Sequence, residues 1–476
     1  MQGKKNYQEK LFTNFQLSER VPQENIYRRL KEVLDLQWLY KATARYYGAE
    51  GQQSIDPVVF FKFILVGYLE NLSSDRRIIN TVSLRLDVLY FIGYDIDEEL
   101  PWHSTLSRTR QLYGQEVFQQ LFREVLKQCI ALGMVAGRRQ SVDSVFVKAN
   151  ASMESLVEKE ILEDAAIYAN SLDDQQQAAP PPSGNNANYR HYSPSDPDAR
   201  IATKRGKPSR LSYLAQVSVD SSSHVITNIE AHHADKRDSE CLSEVVDNTI
   251  KNLQPNGLLV EEVIADANYS SGTALQYLED NHITGYIPNL GSYKKDREGF
   301  TYDPQKDEYI CSQGAHLTFR RMATGRAGRY KKSYSTYKRD CLNCPIRSAC
   351  IGNNDTKKIT VTQDKHLYDQ MHARMQTNKG KRMMQLRKST AEPVLGTLVN
   401  YLGMRQVNTK GITQAGKCMI MSAVAYNLKK LLKFVTPKTQ VAILKIPKTL
   451  KKGLNKVVSM LLRFTESHIL VLTNQY

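Results

Sequence analysis

The sequence predicts a mixed α/β protein, and three features of the sequence predict this class. Apolar residues recur with helical periodicity through most of residues 21–135. Short β-branched segments then alternate with helical ones in the order β-β-β-α-β-α-β, which indicates a mixed sheet and not a doubly wound one. Helical segments return from about residue 380 and continue towards the end of the chain.

The N-terminal helices are predicted from their apolar stripes and from their ends. Residues 23–34 carry apolar side chains at helical spacing. The next helix is expected to begin at Asp56 and Pro57, because an aspartate can cap the free N–H groups and a proline suits the first helical position. Further helices are expected at about 74–91 and 104–131.

The sheet is predicted from short segments of β-branched and aromatic residues. The predicted strands are Ser141–Val147, Leu211–Asp220, His224–Ala231, Leu258–Ala265 and Ile283–Pro288, with helices at about 237–253 and 270–281 between the later ones. Residues 171–200 are rich in Gln, Pro, Ser and Asn, so we expect an exposed, flexible insert there.

The chain is strongly basic, with 65 Lys and Arg against 49 Asp and Glu and a formal net charge of +16. Residues 393–465 hold thirteen Lys or Arg and no acid. A second basic segment, residues 320–347, is interleaved with tyrosines, which suits phosphate contact and base stacking. Nucleic acid is the expected partner, with an anionic membrane or an unliganded solvated face as the alternatives. The candidate DNA contacts are Arg320, Arg321, Arg326, Arg329, Lys331, Lys332, Arg387, Lys388, Lys429, Lys430 and Lys433.

Composition also predicts where the protein works. The hydrophobic fraction of 41% excludes a wholly disordered chain. The first residues lack the apolar core of a secretory signal, and no run of about 18 apolar residues predicts a membrane span. Seven cysteines, an odd number, indicate a reducing compartment. We therefore expect a cytoplasmic protein without a membrane partner.

Three carboxylates are candidates for a metal-dependent active site. Asp143 lies within an apolar predicted strand, and Asp266 directly follows another. An unpaired aspartate is unfavourable in such places, because strands disfavour it and burial penalises its charge. Carboxylates at the ends of neighbouring strands can share divalent cations. Glu392, in a predicted helix, is the third candidate; a capping or ion-paired role is the alternative for each residue taken alone.

These residues carry a resemblance to a known family. The chain resembles the DDE transposases of bacterial insertion sequences, of the IS4/IS5-like kind and most of all the IS1182 group. The resemblance rests on segments that follow in the same order, namely Ser54–Lys62, Pro101–Arg108, Val142–Ser144 with Ala149–Ser152, Ser195–Arg200 with Tyr213–Asp220, Ala265–Tyr269, and Glu392–Thr397.

The resemblance implies an architecture. It implies an RNase H-like mixed-sheet core with a helical N-terminal domain, an insertion between the second aspartate and the glutamate, and a basic helical C-terminal tail. The implied divisions are a DNA-binding domain at 1–135, the first part of the core at 136–290, the insertion at 291–379, the second part of the core at 380–435 and the tail at 436–476.

The resemblance also implies an activity. Asp143, Asp266 and Glu392 would be catalytic and would bind two Mg²⁺ or Mn²⁺ ions. The protein, acting as a homodimer associated with the nucleoid, would bind the terminal inverted repeats of its element, cut the strands with activated water, and join the 3′-OH ends to target DNA. A nuclease without strand transfer and a non-catalytic DNA-binding protein derived from a transposase are the alternatives.

An accessory pattern of these relatives, Tyr-x2-Arg-x3-Glu-x6-Lys, does not match here. Counted from Glu392, its positions for Tyr, Arg and Lys hold Gln385, Lys388 and Val399 in this chain. An arginine, Arg387, lies one position away from the expected place. The sequence therefore offers both Arg387 and Lys388 as phosphate contacts.

Four cysteines of the insertion form a candidate zinc site. Cys341 and Cys344 have the Cys-x2-Cys spacing that lets two thiolates bind one Zn²⁺, and Cys311 and Cys350 can complete a tetrahedral set. His316 is a spare ligand, and four reduced, unligated thiols are an equally weighted alternative. Cys129, Cys241 and Cys418 are expected to be buried thiols. His232, His233 and Asp235 are expected to belong to a strand-to-helix connection.

Overall fold

The N-terminal part of the chain is helical, as predicted. The computed structural model describes residues 2, 5 and 14–435, except 49, 52, 160–186, 205, 207, 292, 294–296 and 325–329. Its first helices are α1 (Leu17–Arg20), α2 (Ile26–Val33), α3 (Trp38–Thr43), α4 (Pro57–Leu69), α5 (Asp75–Val82), α6 (Leu86–Ile92), α7 (His103–Leu112) and α8 (Gln115–Ala131). Helix α4 begins as expected, because the Asp56 carboxylate accepts the backbone N–H groups of Val58 and Val59.

A mixed sheet follows the helices. Its strands are β1 (Arg139–Lys148), β4 (Arg200–Ala202), β5 (Arg210–Asp220), β6 (Ile226–His233), β7 (Glu262–Ile264) and β8 (Thr284–Tyr286), and β2 (Val157–Glu158) and β3 (His191–Tyr192) form a separate small pair. The order across the sheet is β6, β5, β1, β7, β8, and β4 pairs with β5 beside β6. Strands β1, β5 and β6 are antiparallel, whereas β7 and β8 run parallel to β1.

Short helices connect and cover these strands. They are α9 (Ala187–Arg190), α10 (Asp238–Leu253) and α11 (Gly272–Asp280). The predicted hairpin and both predicted helices are confirmed within a few residues. The predicted strand over 258–265 is shorter in the structure, because only Glu262–Ile264 pairs with β1 and β8.

The predicted flexible insert is partly wrong. Residues 171–186 of that insert lie outside the described part of the chain, but residues 187–200 are ordered by tertiary contacts. Asp196 is fully buried, and its carboxylate accepts the Tyr213 hydroxyl at 2.6 Å and the Gly411 amide at 3.0 Å. The polar composition of this segment predicted that it would be exposed. Asp196 can instead be buried, because its carboxylate accepts hydrogen bonds from distant residues.

The segment between Asp266 and Glu392 contains a second sheet that the sequence did not predict. Strands β9 (Phe300–Asp303), β10 (Glu308–Cys311), β11 (His316–Thr324), β12 (Tyr330–Ser335) and β13 (Lys358–Thr362) form an antiparallel sheet in the order β13, β12, β11, β10, β9. Two short helices, α12 (Lys338–Leu342) and α13 (Arg347–Cys350), lie between β12 and β13. Its core among the described residues is small: Tyr309, Leu317, Tyr334 and Ile359.

Three helices complete the described chain: α14 (Lys365–Gln376), α15 (Asn378–Tyr401) and α16 (Ile412–Phe434). Helix α16 is almost wholly buried against α4, α8 and β6, so the N-terminal helices, the sheet and α16 share one hydrophobic core. None of the described helices is both long and apolar enough to span a bilayer.

The acid-free segment therefore contributes both core and surface. The apolar face of α16 packs inward as predicted, whereas the tail at 436–476 lies outside the described residues. One lysine of this segment is not available to DNA. Lys417 is 2% exposed, and its ammonium donates to the carbonyls of Arg110 and Tyr113 at 3.0 and 2.6 Å. It thereby satisfies acceptors at the C-terminal end of α7.

A buried ion pair between α5 and α7 gives a stability prediction. Arg110 donates both terminal nitrogens to Asp75, at 2.9 and 2.6 Å, and the side chains are 5% and 12% exposed. Asp75→Ala is expected to cost about 3–5 kcal/mol of unfolding free energy, because it leaves an unpaired buried guanidinium. Urea denaturation measures this loss. Asp75→Ala with Arg110→Met should cost less than Asp75→Ala alone, and an equal or larger cost for the pair would contradict the explanation.

Candidate active site

Asp143 lies on the central strand β1, just past the residues that pair with the parallel strand β7. Ser141 pairs with Ile264, the last residue of β7, and from Val142 to Val147 β1 pairs with β5 alone among the described strands. Asp143 is two residues past this last pair, so its side chain is at the edge of the opening that the end of β7 leaves. It is partly buried, with 13% of its side chain exposed.

Asp266 follows the parallel strand β7, which lies next to β1. It too is two residues past the last pair of β1 with β7, so the two aspartates are at equivalent positions beyond the parallel ladder. The Asp266 carboxylate accepts the backbone N–H of Asn268 at 2.9 Å and the Asn268 side-chain amide at 3.2 Å. These bonds cap the short turn Ala267–Tyr269 and fix the direction of the carboxylate. The two aspartates thus lie on adjacent strands, at equivalent positions past the last pair.

Glu392 reaches the same place from helix α15, which packs against β1. Arg387 connects it to the strands, because one terminal nitrogen donates to Asp143 at 2.7 Å and the other to Glu392 at 3.3 Å. The Arg387 side chain is 12% exposed, whereas 52% of Glu392 is exposed. Helix α15 therefore brings the arginine, and not only the glutamate, to the carboxylates. Lys388, the residue that follows Arg387, is exposed.

The electrostatics of the site follow from burial and from neighbouring charges. Burial raises the pKa of Asp143 to about 6, against the lowering effect of the Arg387 guanidinium. Burial likewise raises the pKa of Asp266, against the amide hydrogen bond of Asn268. The charges of Asp266 and of a third acid, Asp238, further raise the pKa of Asp143, and the charge of Asp238 further raises the pKa of Asp266. Negative charge is thus concentrated here, and a cation would relieve its cost.

The donor set fits a hard divalent cation. All three side chains offer carboxylate oxygens, which Mg²⁺ and Mn²⁺ prefer over sulfur. Each of them accepts a hydrogen bond, and Glu392 is on an exposed helix face. Within the described residues, the carboxylate oxygens of all three do not converge within 4.8 Å of one another. Shared ligation would therefore require the side chains to approach one another.

Sequence reasoning missed Asp238, Gln216 and Tyr269. Asp238 begins helix α10, and its carboxylate accepts the Gln216 side-chain amide at 2.8 Å. The fully buried hydroxyl of Tyr269 donates to the oxygen of the same Gln216 side chain. This chain of hydrogen bonds begins at Tyr269, three residues after Asp266, and passes through Gln216 on strand β5 to Asp238. Its only signal in the sequence is a glutamine in the middle of an apolar strand, whereas Asp238 looks like an ordinary helix-start acid.

Apart from Arg387 and Lys388, the candidate DNA contacts fall into two groups. On strands β11 and β12, Arg320, Arg321 and Lys331 are exposed, whereas Lys332 pairs with Asp307 at 3.2 Å. Arg326 and Arg329 lie outside the described residues. At the end of α16, Lys433 is exposed, and Lys429 and Lys430 are half-buried. Burial lowers the pKa of Lys430, and the nearby Lys433 lowers it further.

A second cluster, around His232, is an ion pair and not the active site. His232 is buried, with Glu230 3.1 Å from its Nε2 and Glu244 3.9 Å from its Nδ1. Burial alone would lower the pKa of His232, but hydrogen bonds to Cys241 and Glu230 outweigh it and raise this pKa to about 9. Because each ring nitrogen faces a different carboxylate, a protonated imidazole explains the cluster without a metal.

Two family models match separate parts of the chain. A transposase domain (DUF772) matches residues 15–112, and a transposase DDE domain matches residues 310–432. The second match includes Glu392 and the four cysteines of the insertion. Asp143 and Asp266 lie between the two matches. No curated protein sequence matches the chain at a significant level.

Several solved structures are loosely similar to the chain. A piggyBac transposase synaptic complex with hairpin DNA has 9% identity and a TM-score of 0.30, over 90% of this chain and 82% of that one. A Mos1 transposase paired-end complex with left transposon end has 11% identity and a TM-score of 0.17, over 54% and 70%. A Mos1 mariner paired-end complex with Mn has 8% identity and a TM-score of 0.16, over 56% and 73%.

Proposed function

We propose that this chain, which matches transposase family models over residues 15–112 and 310–432, is a DDE transposase of the insertion-sequence type. It would break and join phosphodiester bonds in DNA, with Asp143, Asp266 and Glu392 as the catalytic residues. The single observation that carries the proposal is the position of the two aspartates, side by side beyond the last pair of β1 with β7. Glu392 is linked to Asp143 through Arg387. The reaction class is phosphoryl transfer on DNA.

The core is proposed to be RNase H-like, with the second sheet as an insertion. The order β6-β5-β1-β7-β8, with the first three strands antiparallel and the last two parallel to β1, supports this assignment. The sheet of β9–β13 lies in sequence between Asp266 and Glu392, as the resemblance implies. The helices before residue 136 would then be the DNA-binding region.

Each residue of the site has a proposed task. Asp143 and Asp266 would hold Mg²⁺ or Mn²⁺, two ions in all, and Glu392 one of them. Such ions lower the pKa of an attacking water or 3′-OH and stabilise the leaving oxygen. Arg387, which contacts both Asp143 and Glu392, would keep these carboxylates in position and meet a DNA phosphate. It is therefore a positioning residue in the free protein.

The missed residues are also assigned positioning roles. Tyr269 follows Asp266 by three residues and donates to Gln216, which in turn donates to Asp238. Because Tyr269 and Gln216 are both fully buried, this chain fixes the turn after β7 and the start of α10. The turn carries Asp266, so its rigidity would preserve the direction of that carboxylate.

Double-stranded DNA is the proposed partner, both as element ends and as target, with a homodimer holding a pair of ends. The exposed Arg320, Arg321 and Lys331 and the lysines at the end of α16 support this proposal, because basic side chains that reach the surface suit phosphate contact. The proposed location is the bacterial cytoplasm, with the protein on the nucleoid.

The decisive experiment uses labelled DNA that carries the flanking inverted repeats. With Mg²⁺ the protein should release 3′-OH ends and then yield joined products with target DNA. Cleavage without joined products would indicate a nuclease instead. Binding without cleavage in any divalent cation would indicate a non-catalytic DNA-binding protein.

The lysines at the end of α16 give a further prediction. Replacing Lys429, Lys430 and Lys433 together by Gln should weaken binding to specific and to random DNA alike. It should also reduce the slope of log K against log salt by about 0.9 for each phosphate that the protein no longer neutralises. Titrations at several salt concentrations measure the slope.

A matched control replaces three exposed lysines outside the proposed DNA-binding segments, Lys159, Lys204 and Lys251, by Gln, with the same change in net charge. This control should leave the slope close to that of the unmodified protein. If the α16 variant also keeps its slope, these lysines only face solvent and the DNA lies elsewhere.

A further inference from the structure

Four cysteines of the insertion line one cavity. The cavity has a volume of about 550 Å³ and lies between the end of β10 and the helices α12 and α13. Cys311 is the last residue of β10, Cys341 lies in α12, Cys344 follows that helix, and Cys350 is the last residue of α13. Three separate elements therefore bring all four thiols to the same space.

Two of the sulfur atoms already have polar neighbours. The backbone N–H of Ala315 donates to Cys311 Sγ at 3.3 Å, across a tight turn in which Gly314 has a φ of +82°. Cys341 Sγ lies 3.2 Å from the hydroxyl oxygen of Thr336. Hydrogen-bonding groups beside the sulfur atoms are typical of the residues that surround and orient metal ligands.

Basic groups at the cavity suit a site that becomes negatively charged. Four thiolates around one divalent cation carry a net charge of about −2. Arg347 and Lys357 line the cavity together with two acids, Glu298 and Asp340. Lys357 also donates to the carbonyl of Cys350 at 2.7 Å, and so holds the end of α13 in place.

The insertion has little else to hold these helices. Its described core consists of four side chains on strands β10–β13, and none of them belongs to α12 or α13. Helices this short are not stable by themselves. A metal commonly replaces a hydrophobic core in modules of this size. His316, the spare ligand that the sequence offers, pairs with Glu308 at 2.8 Å and does not line the cavity.

We propose that Cys311, Cys341, Cys344 and Cys350 bind one structural Zn²⁺. No three of these sulfurs lie within 4.8 Å of one another in the described structure, whereas a zinc thiolate has bonds of about 2.3 Å. Binding therefore draws α12 and α13 towards the end of β10 and closes the cavity. Each thiol loses its proton to solvent as it ligates.

The metal fixes the basic face of the insertion as well. Tyr337 immediately precedes α12, and the guanidinium of Arg320 lies 4.1 Å from the centre of its ring. The Tyr337 backbone N–H donates to Asp340 within the same helix. If the metal anchors α12 through Cys341, it also fixes the position of the Tyr337 ring, against which Arg320 of strand β11 packs. This inference does not depend on the catalytic assignment.

Elemental analysis of the full chain, purified under reducing conditions without added metal, tests the proposal. We expect one zinc per chain. Cys341→Ser with Cys344→Ser should lower the content to about 0.1 or less, because two ligands cannot retain the metal against a chelator. Cys129→Ala, which removes a buried thiol of α8 outside the cluster, should retain one zinc.

A second variant and a second metal separate ligand loss from misfolding. Cys350→His keeps a zinc ligand and should retain most of the metal. Co²⁺ exchanged into the protein should show the thiolate charge-transfer band and the strong visible bands of a tetrahedral site. A folded protein with zinc near zero overturns the proposal, whether its four thiols are free or joined in disulfides. Zinc that persists in the Cys341 and Cys344 double variant overturns it too.

Discussion

Asp143→Asn, Asp266→Asn and Glu392→Gln should each abolish cleavage of element-end DNA while binding to the same DNA survives. Each change keeps the shape of the side chain and removes one carboxylate from the proposed metal-binding set. We expect the cleavage rate to fall by at least about 100-fold, the scale seen when one preorganised electrostatic group is lost. The basic surfaces are unchanged, so the affinity for DNA should stay within about twofold.

The matched control is Glu261→Gln. Glu261 immediately precedes strand β7 and so lies at the end of that strand opposite to Asp266, where it forms an exposed pair with Arg138. Loss of an exposed pair has little effect on stability, and we expect near-normal cleavage. More than about a tenth of normal activity in the Asp143 variant would remove that residue from the site.

The metal requirement is tested on the unmodified protein. Omission of Mg²⁺ or addition of a chelator should stop cleavage. Ca²⁺ should support DNA binding with little turnover, because its larger and more flexible coordination suits in-line transfer poorly. Full cleavage in the presence of excess chelator would contradict a metal-dependent mechanism.

The sequence predicted much of the central sheet, because its strands carry strong β-branched patterns and the two aspartates interrupt them. The insertion sheet was not predicted. Strand β11 has two adjacent arginines, Arg320 and Arg321, and only one fully buried apolar side chain, Leu317, so it lacks the alternation that identifies a half-buried strand. Its pairing with β10 and β12 is non-local information that a pattern along one segment does not contain.

One part of the site and one part of the fold could not be found from a single sequence. Asp238 becomes relevant only because Gln216, on another strand, connects it to Tyr269. Residues 187–200 looked flexible by composition, but Asp196 forms buried hydrogen bonds to distant residues. In both cases a polar residue is specified by its tertiary partner, whereas local propensity describes only its neighbours in the chain.

The position of the arginine on α15 gives the last prediction. The relatives' accessory pattern expects a basic residue at Lys388, whereas the structure directs Arg387 to Asp143 and Glu392 and leaves Lys388 exposed. Arg387→Ala should therefore lower the cleavage rate by about 100-fold, because it removes both the link between the two carboxylates and a donor to the DNA phosphate. Rates with saturating DNA measure this effect separately from affinity.

Two further variants distinguish the assignments. Arg387→Lys should recover only part of the rate, because one ammonium group cannot reproduce the two directed hydrogen bonds that the guanidinium makes at 2.7 and 3.3 Å. Lys388→Ala should change mainly the affinity and its salt dependence, since this side chain is exposed and contacts neither carboxylate. A larger loss of cleavage rate in Lys388→Ala than in Arg387→Ala would contradict this assignment. Lys388, the position expected from the family pattern, would then contact the DNA phosphate, and Arg387 would only pair with the carboxylates of the free protein.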